Sequence, residues 1–267
     1  MKIPNLKEIM KPVWAHVPGW GVRGKDVWYK IPKLEQGTTP KDPRLLKILE
    51  IRKEEKVLSV AGYYASWASA LKNAGAEVDY SDVSQSIVNW VKKNVKTKFG
   101  KIICSGYEKI PKKPLEYDWT FTYEACGGGR GLPIAYLRSL LNKRGGILVI
   151  HNDKKYPEHI KANKSKIVTY SKIVMNLAKA YNIKYEIKNK IIKAIRRGED
   201  KPKSNQFFIA KILTNDAARK KAELDLKVLE NIKNKKVVGK ELKESLKRLN
   251  IISKSHGDDM VREIELK

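Results

Sequence analysis

Three stretches of the chain carry residues whose types and spacing suit chemistry. The first is Ala61-Gly62-Tyr63-Tyr64-Ala65-Ser66-Trp67. Small residues at 61, 62 and 65 let a ligand approach the backbone and let a following helix pack close to the preceding strand. The second is Asp82, twenty residues after Gly62. That is the spacing at which a carboxylate grips the two ribose hydroxyls of a nucleoside cofactor. Asp82-Val83-Ser84 also reads as a helix opening with Asp82 or Ser84 as its N-cap, and capping is the lesser alternative to the ribose role for Asp82. The third is Glu124-Ala125-Cys126-Gly127-Gly128-Gly129-Arg130-Gly131. Its glycines offer backbone N–H groups and room for a substrate, and Arg130 suits an acid or phosphate. The competing reading is a plain connection ending at Leu132-Pro133.

Other reactive residues are sparse. The histidines, His16, His151, His159 and His256, are scattered, and only His151 falls just after an apolar run where a general base or substrate contact fits. Cys104 and Cys126 make neither a disulfide framework nor a four-ligand zinc site, and no metal site is expected. A dinucleotide site needs glycines where Tyr64 and Trp67 stand, and the phosphate-loop pattern G-x-x-x-x-G-K-[ST] is absent.

The elements that must position these residues follow a rhythm. Lys56–Ala61, Ala76–Tyr80, Lys101–Cys104, Asp118–Tyr123 and Ile147–Ile150 read as short strands rich in apolar and β-branched residues. Trp67–Asn73, Ser84–Val95 and Leu132–Asn142 read as helices between them, the last closed by Arg144-Gly145-Gly146. Near-continuous apolar strands alternating with helices mean a parallel sheet covered on both faces. After Ile150 the pattern changes. A helix over Ser165–Ala180 leads to strands at Tyr185–Ile187 and Phe207–Leu213, an antiparallel pair. Charged helices follow at Ala218–Ile232 and Gly239–Leu249, the first with an apolar stripe of Leu224, Val228, Leu229 and Ile232. Residues 1–45 form an arm rich in Pro, Gly and Trp, expected to fold onto the body through Trp14, Trp20, Trp28 and Tyr29. The expected division is an arm at 1–45, a main domain at 46–213 and a helical extension at 214–267.

This order of elements, with a closing hairpin after the fifth strand, resembles the class I S-adenosylmethionine-dependent methyltransferases over Leu45–Leu213. The matching segments are Val57–Gly62 through Leu71, Ala74–Ser84, Tyr117–Phe121 and Leu137–Ile150. The resemblance implies an α/β fold: a Rossmann-like, doubly wound, mostly parallel sheet with a C-terminal antiparallel hairpin. It implies S-adenosylmethionine as cofactor, with Asp82 on the ribose and the Ala61–Ala65 turn under the methionine part. Cys104–Tyr107 would lie beside the adenine, and Tyr123 and Glu124 near the methyl group. The candidate cofactor set is Ser59, Ala61, Gly62, Tyr63, Asp82, Val83, Ser105, Gly106, Tyr107, Tyr123 and Glu124. Arg130 and His151 are the candidate substrate contacts, and no residue is singled out as catalytic. The chain departs from the family pattern at Ser59, where an acid is usual, and at Ala61, Tyr63 and Ala65, where glycines are usual. The third strand also ends on Cys104 rather than near an aspartate. Neither an Asn-Pro-Pro-Tyr motif nor the paired cysteines used for pyrimidine C5 attack is present.

Composition bounds the partners. The 267 residues are 42% apolar and 32% charged, a globular balance. No apolar run is long enough to span a membrane, and the lysines after Met1 precede no apolar block, so a cytoplasmic protein is expected. The net charge is +27, with lysines outnumbering arginines 45 to 11. Such a field favours RNA or an anionic small molecule as partner. Lysine enrichment alone, as in AT-rich genomes or hot habitats, produces the same charge. The charge is densest over 151–213. Two other functions fit the same residues: a methyltransferase-like fold without activity that docks on RNA or ribosomes, and an interaction module built on 214–250.

Overall fold

The computed structural model describes residues 13–17, 27–31, 39–40, 44–62, 65–105, 110, 113–123, 136–151, 157–195, 203–233, 244–245 and 247–249. The strands are β1 Val13–Val17, β2 Val27–Ile31, β3 Thr39–Pro40, β4 Lys56–Val60, β5 Glu77–Asp82, β6 Ile102–Cys104, β7 Trp119–Tyr123, β8 Gly145–His151, β9 Lys184–Ile195 and β10 Lys203–Leu213. The helices are α1 Leu45–Leu49, α2 Ser66–Asn73, α3 Gln85–Asn94, α4 Pro157–Tyr181 and α5 Asp216–Lys233. β1 and β2 form a two-stranded sheet, and the others an eight-stranded sheet in the order β3-β9-β10-β8-β7-β4-β5-β6. This is the doubly wound, mostly parallel arrangement with a closing antiparallel hairpin that the resemblance implies. The chain divides into two compact units, Met1–Ile110 with Ile191–Asn205, and Pro111–Lys190 with Gln206–Lys267.

In the first unit, β4, β5 and β6 are parallel, with Ser59 opposite Tyr80 and Asp82 opposite Cys104. Val57, Leu58, Ser59 and Val60 are all buried, as are Val78 through Asp82. A strand buried on both faces must satisfy its polar groups internally. Asp79 does so by accepting the Lys101 N–H at 2.8 Å and pairing with Lys56 at 3.8 Å. α2 turns Trp67, Ala68, Ala70 and Leu71 inward and ends before Gly75, whose φ of 109° a residue with a side chain rarely adopts. α3 buries Ile87, Val88 and Val91, and its last turn carries Lys92 and Lys93 at the negative end of the helix dipole.

The arm contributes strands, and the side chains of Trp14, Trp20, Trp28 and Tyr29 lie outside the described residues. β1 pairs antiparallel with β2 from Val13 opposite Ile31 to Val17 opposite Val27, and packs on α3. β3 pairs with the end of β9, Thr39 opposite Ile195 and Pro40 opposite Ala194.

In the second unit β7 runs parallel to β8, and β10 antiparallel to it with Phe207 opposite His151 and Leu213 opposite Gly145. Gly145 and Gly146 open β8 rather than close a helix. A Cβ on Gly145 would strike the Ile212 carbonyl, and one on Gly146 the Ser139 side chain, so close chain approach demands both glycines. The Asn142 amide braces the same corner, donating to Thr120 Oγ1 at 2.9 Å and to the Gly145 carbonyl at 2.6 Å. Trp119 is fully buried, with the Arg144 guanidinium 4.7 Å and the Lys211 ammonium 5.8 Å from its ring centroid.

α4 starts at Pro157, eight residues before the helix read from sequence, because Pro suits a first helical position. It buries Tyr170, Ile173, Val174, Leu177 and Tyr181. α5 turns Ala218, Ala222, Asp225 and Val228 inward, while Leu224 is 45% exposed. Of the stripe expected through Leu224, Val228, Leu229 and Ile232, Val228 is buried and Leu224 is turned out, and the side chains of Leu229 and Ile232 lie outside the described residues. At the centre of the inward face lies a charge. Asp225 accepts from Tyr181 Oη at 2.6 Å, from Ser245 Oγ at 2.5 Å, and from Arg248 through Nε at 2.7 Å and Nη2 at 2.6 Å. Burial foremost, then the Asp225 charge and hydrogen bond, push the Tyr181 hydroxyl far above its ordinary range and keep it a donor.

Candidate functional site

The carboxyl ends of β4, β5 and β6 meet in the first unit, and this edge carries the described residues of the candidate cofactor set except Tyr123. Two backbone hydrogen bonds tie it together on either side of Asp82. The Gly62 N–H donates to the Ser81 carbonyl at 2.9 Å, and the Ser105 N–H to the Asp82 carbonyl at 2.9 Å. Below them the Ser81 hydroxyl donates to the Ser59 carbonyl at 3.4 Å.

The turn after β4 has an unusual backbone. Ala61 has φ 47° and Ala65 has φ 60°, both left-handed. For a residue with a Cβ that conformation costs about 1–2 kcal/mol. Ala65 nonetheless serves as N-cap of α2, with its N–H donating to the Gly62 carbonyl at 2.8 Å. The chain thus holds, with alanines, backbone angles that glycines adopt freely. Gly62 is irreplaceable for another reason: a Cβ there would overlap the Tyr80 ring. Tyr80 is fully buried and stacks on Phe99 at 5.6 Å, so the ring is a fixed floor beneath the turn.

Asp82 is only 4% exposed. Its Oδ1 accepts the Ser84 N–H at 2.9 Å. The helix cap itself is Ser84, whose Oγ accepts the Ile87 N–H at 3.4 Å. The two readings of this segment therefore divide between two residues: Ser84 caps, and Asp82 is aimed by the capping turn. Val83 and Ser105 flank it, half-buried. Cys104, exposed, directs its thiol to the Val83 carbonyl at 3.7 Å. Burial and then the Asp82 charge push that thiol pKa upward, while Lys92 pulls the other way. Cys104 is accordingly a neutral wall residue and a poor nucleophile.

In the second unit, Tyr123 ends β7, half-buried, with its ring 6.5 Å from Phe207 and tilted by 57°. His151 ends β8 opposite Phe207 in the pairing register. Tyr63, Gly106, Tyr107, Glu124, Cys126 and Arg130 lie outside the described residues. Among the described residues no cluster of three or more His, Cys, Asp or Glu suits a metal ion, and no helix is long and apolar enough to cross a membrane. Sequence reasoning missed Tyr80. Its signal was available only as a bulky ring two residues before the carboxylate, with nothing to say which backbone it supports.

No family model matches the chain, and no curated protein matches it. Solved structures do resemble it. The YcgJ protein of Bacillus subtilis is 11% identical, with 64% of this chain and 97% of that one covered at a TM-score of 0.45. The magnesium protoporphyrin IX methyltransferase of Synechocystis with bound SAM is 14% identical, covering 65% of this chain and 76% of that one at 0.39. A Thermoplasma acidophilum protein is 12% identical, covering 64% and 85% at 0.39. What defines the fold of this chain is its own strand order and register.

Proposed function

We propose that this chain is an S-adenosylmethionine-dependent methyltransferase. The observation that carries the proposal is the pair of left-handed alanines, Ala61 and Ala65, beside a carboxylate aimed by its own helix turn. Left-handed residues also occur in a plain connection of this chain, at Glu50 and Glu54, so the reading is supported by where the alanines stand: on the turn at the carboxyl end of β4, with Asp82 at the end of the neighbouring parallel strand β5. The donor set fits the cofactor. Asp82 would accept from the two ribose hydroxyls, Val83 and Ser105 would flank the base with Gly106 and Tyr107, and the 61–65 turn would pass under the methionine part.

The bound cofactor would supply an electrophilic methyl group on a sulfonium for in-line transfer to an acceptor lone pair, with S-adenosylhomocysteine as the leaving group. An acceptor that carried a proton gives it up to solvent or a base. The protein's part is positioning and exclusion of water. In this reading Tyr123 and Glu124 would close the cofactor site near the methyl group, Arg130 and His151 would contact the acceptor, and the acceptor would be RNA or an anionic small molecule.

Ser59 favours a second reading. It stands, buried, where an acid is usual in the family the chain resembles, which suits a fold kept for docking on RNA or ribosomes without cofactor. Calorimetric titration of S-adenosylmethionine and S-adenosylhomocysteine into the wild type and Asp82→Ala separates the two. Micromolar binding that Asp82→Ala abolishes is expected. Absence of binding to well-folded wild type overturns methyl transfer.

A further inference from the structure

Tyr80 stands between two loops and the candidate carboxylate. Side chains alternate along a strand, so Tyr80 and Asp82 leave the same face of β5, with Cα atoms about 6.6 Å apart. The Tyr80 ring is wholly buried and stacks on Phe99 at 5.6 Å, the two rings 26° from parallel. Phe99 is itself held by its neighbours. The Gly100 N–H donates to the Val78 carbonyl at 2.9 Å, the Lys101 N–H to Asp79 Oδ1 at 2.8 Å, and the Tyr80 N–H to the Lys101 carbonyl at 2.8 Å. The ring also meets the turn after β4, where a Cβ on Gly62 would overlap ring atoms Cε2 and Cδ2. Gly62 is not left-handed, so the ring and not the backbone angle excludes a side chain there. The Gly62 N–H donates to the Ser81 carbonyl at 2.9 Å. The turn is thus drawn to β5 by a hydrogen bond and stopped by a ring.

We propose that Tyr80 is a positioning residue for the cofactor: its ring, held by Phe99, sets the height of the 61–65 turn relative to Asp82, and with it the affinity for the amino-acid half of S-adenosylmethionine. The proposal rests on the methyl-transfer reading above. In that reading one strand serves both halves of the ligand. Asp82 takes the ribose directly, and Tyr80 acts through the backbone that passes under the methionine part. A smaller side chain at 80 leaves Gly62 tethered but unsupported, and a turn that must find its height on binding costs affinity that a fixed turn does not. A core aromatic of purely structural value acts differently. Its loss lowers the folded fraction, which weakens every ligand by the same factor. A ring that sets the turn acts on one half of the ligand only.

The test is calorimetric titration of S-adenosylhomocysteine and 5′-methylthioadenosine, which share the nucleoside and the sulfur and differ in the amino-acid part. The readout is the ratio of the two affinities, from which any unfolded fraction cancels. Tyr80→Leu is expected to lower the ratio roughly tenfold, by weakening S-adenosylhomocysteine alone. Tyr80→Phe keeps the ring and is expected to keep the ratio. Phe99→Leu, at a half-buried position, removes the stack and is expected to lower the ratio about threefold. It carries the test if Tyr80→Leu does not fold. Gly62→Ala, whose Cβ meets the ring, is expected to lower the ratio in the wild type and by less beside Tyr80→Leu. An unchanged ratio in Tyr80→Leu or Phe99→Leu, an equal loss for both ligands, or as large a fall in Tyr80→Phe overturns the proposal. If the wild type binds both ligands and the variants keep its ratio, the role of Tyr80 alone falls. If well-folded wild type binds neither, the methyl-transfer reading falls and takes this proposal with it.

Discussion

Asp82 and Ser84 divide one task between them: the Ser84 N–H holds Asp82 Oδ1 at 2.9 Å, and the Ser84 hydroxyl caps α3. The carboxylate is thus oriented before any ligand arrives, so its substitution should act on binding more than on folding. Asp82→Asn retains an oxygen for the Ser84 N–H but loses the charge. S-adenosylhomocysteine affinity should fall about tenfold or more, the scale of a lost charge-assisted hydrogen bond, with little change in melting temperature. Calorimetry and thermal melting on one preparation check both halves. A large drop in melting temperature with intact affinity would make Asp82 purely structural.

The strain at Ala61 and Ala65 can be measured directly. Glycine relieves about 1–2 kcal/mol at each left-handed position but returns roughly 0.5–1 kcal/mol to the unfolded chain. Ala61→Gly and Ala65→Gly should therefore each be neutral to about 1 kcal/mol stabilising. Ala61→Val should destabilise, since a β-branched residue is poorly accommodated at positive φ. Urea denaturation reads all three, and a clear loss of stability on glycine substitution would contradict the left-handed assignment.

Cys104 reports on the charge beside it. Its thiol pKa is raised by burial first and by Asp82 second, so it should alkylate more slowly with iodoacetamide at pH 8 than a free cysteine. Asp82→Asn removes one cause and should speed the reaction. Peptide mass mapping follows residue 104 separately from Cys126. An unchanged rate in the variant would mean that Asp82 does not act on this thiol.

Asp225 should be the least replaceable polar residue of the second unit. Removing Arg248 leaves a fully buried carboxylate short of its cation, which costs about 3–5 kcal/mol. Arg248→Ala should lose that much by denaturant titration, and truncation before Ser245 at least as much. A truncated chain of wild-type stability would make the tail a separate module after all.

The same cluster gives an alkaline signature. The folded pKa of Tyr181 lies far above the ordinary value near 10. As pH rises past about 10 the unfolded chain loses this proton and the folded chain keeps it, so stability falls. Tyr181→Phe removes that contribution. The gap between wild type and variant should shrink from pH 8 to pH 11, and a constant gap would contradict it.

What the sequence made legible follows from where the signal lives. β4 and β8 were readable because strands buried on both faces are largely apolar, and β5 and β7 because Val78 and Tyr80, and Trp119, Phe121 and Tyr123, alternate with polar residues. β9 and β10 were readable only at 185–187 and 207–213, since lysines dilute the alternation at their outer ends. β1 and β2 were hidden among prolines and glycines, although Val-Trp-Ala-His-Val and Val-Trp-Tyr-Lys-Ile are strand-forming runs. Asp82 and Gly62 came from spacing. The roles of Tyr80 and of the left-handed alanines did not, because a close approach and a backbone angle leave no trace in residue type. α5 was legible only in part because its inward face joins Val228 to two alanines and one aspartate, and the more hydrophobic Leu224 is turned out.

The Asp225 cluster also fixes when this protein can finish folding. Its cation sits twenty-three residues further along the chain, and its hydroxyl partners lie forty-four residues before and twenty after. A ribosome that has released α4 and α5 but still holds the final segment presents an aspartate with one of its three partner side chains. Burying it at that moment is unfavourable. The second unit must therefore wait for residues up to Arg248 to emerge before it closes, and a product that stops before Ser245 carries a defect at its centre.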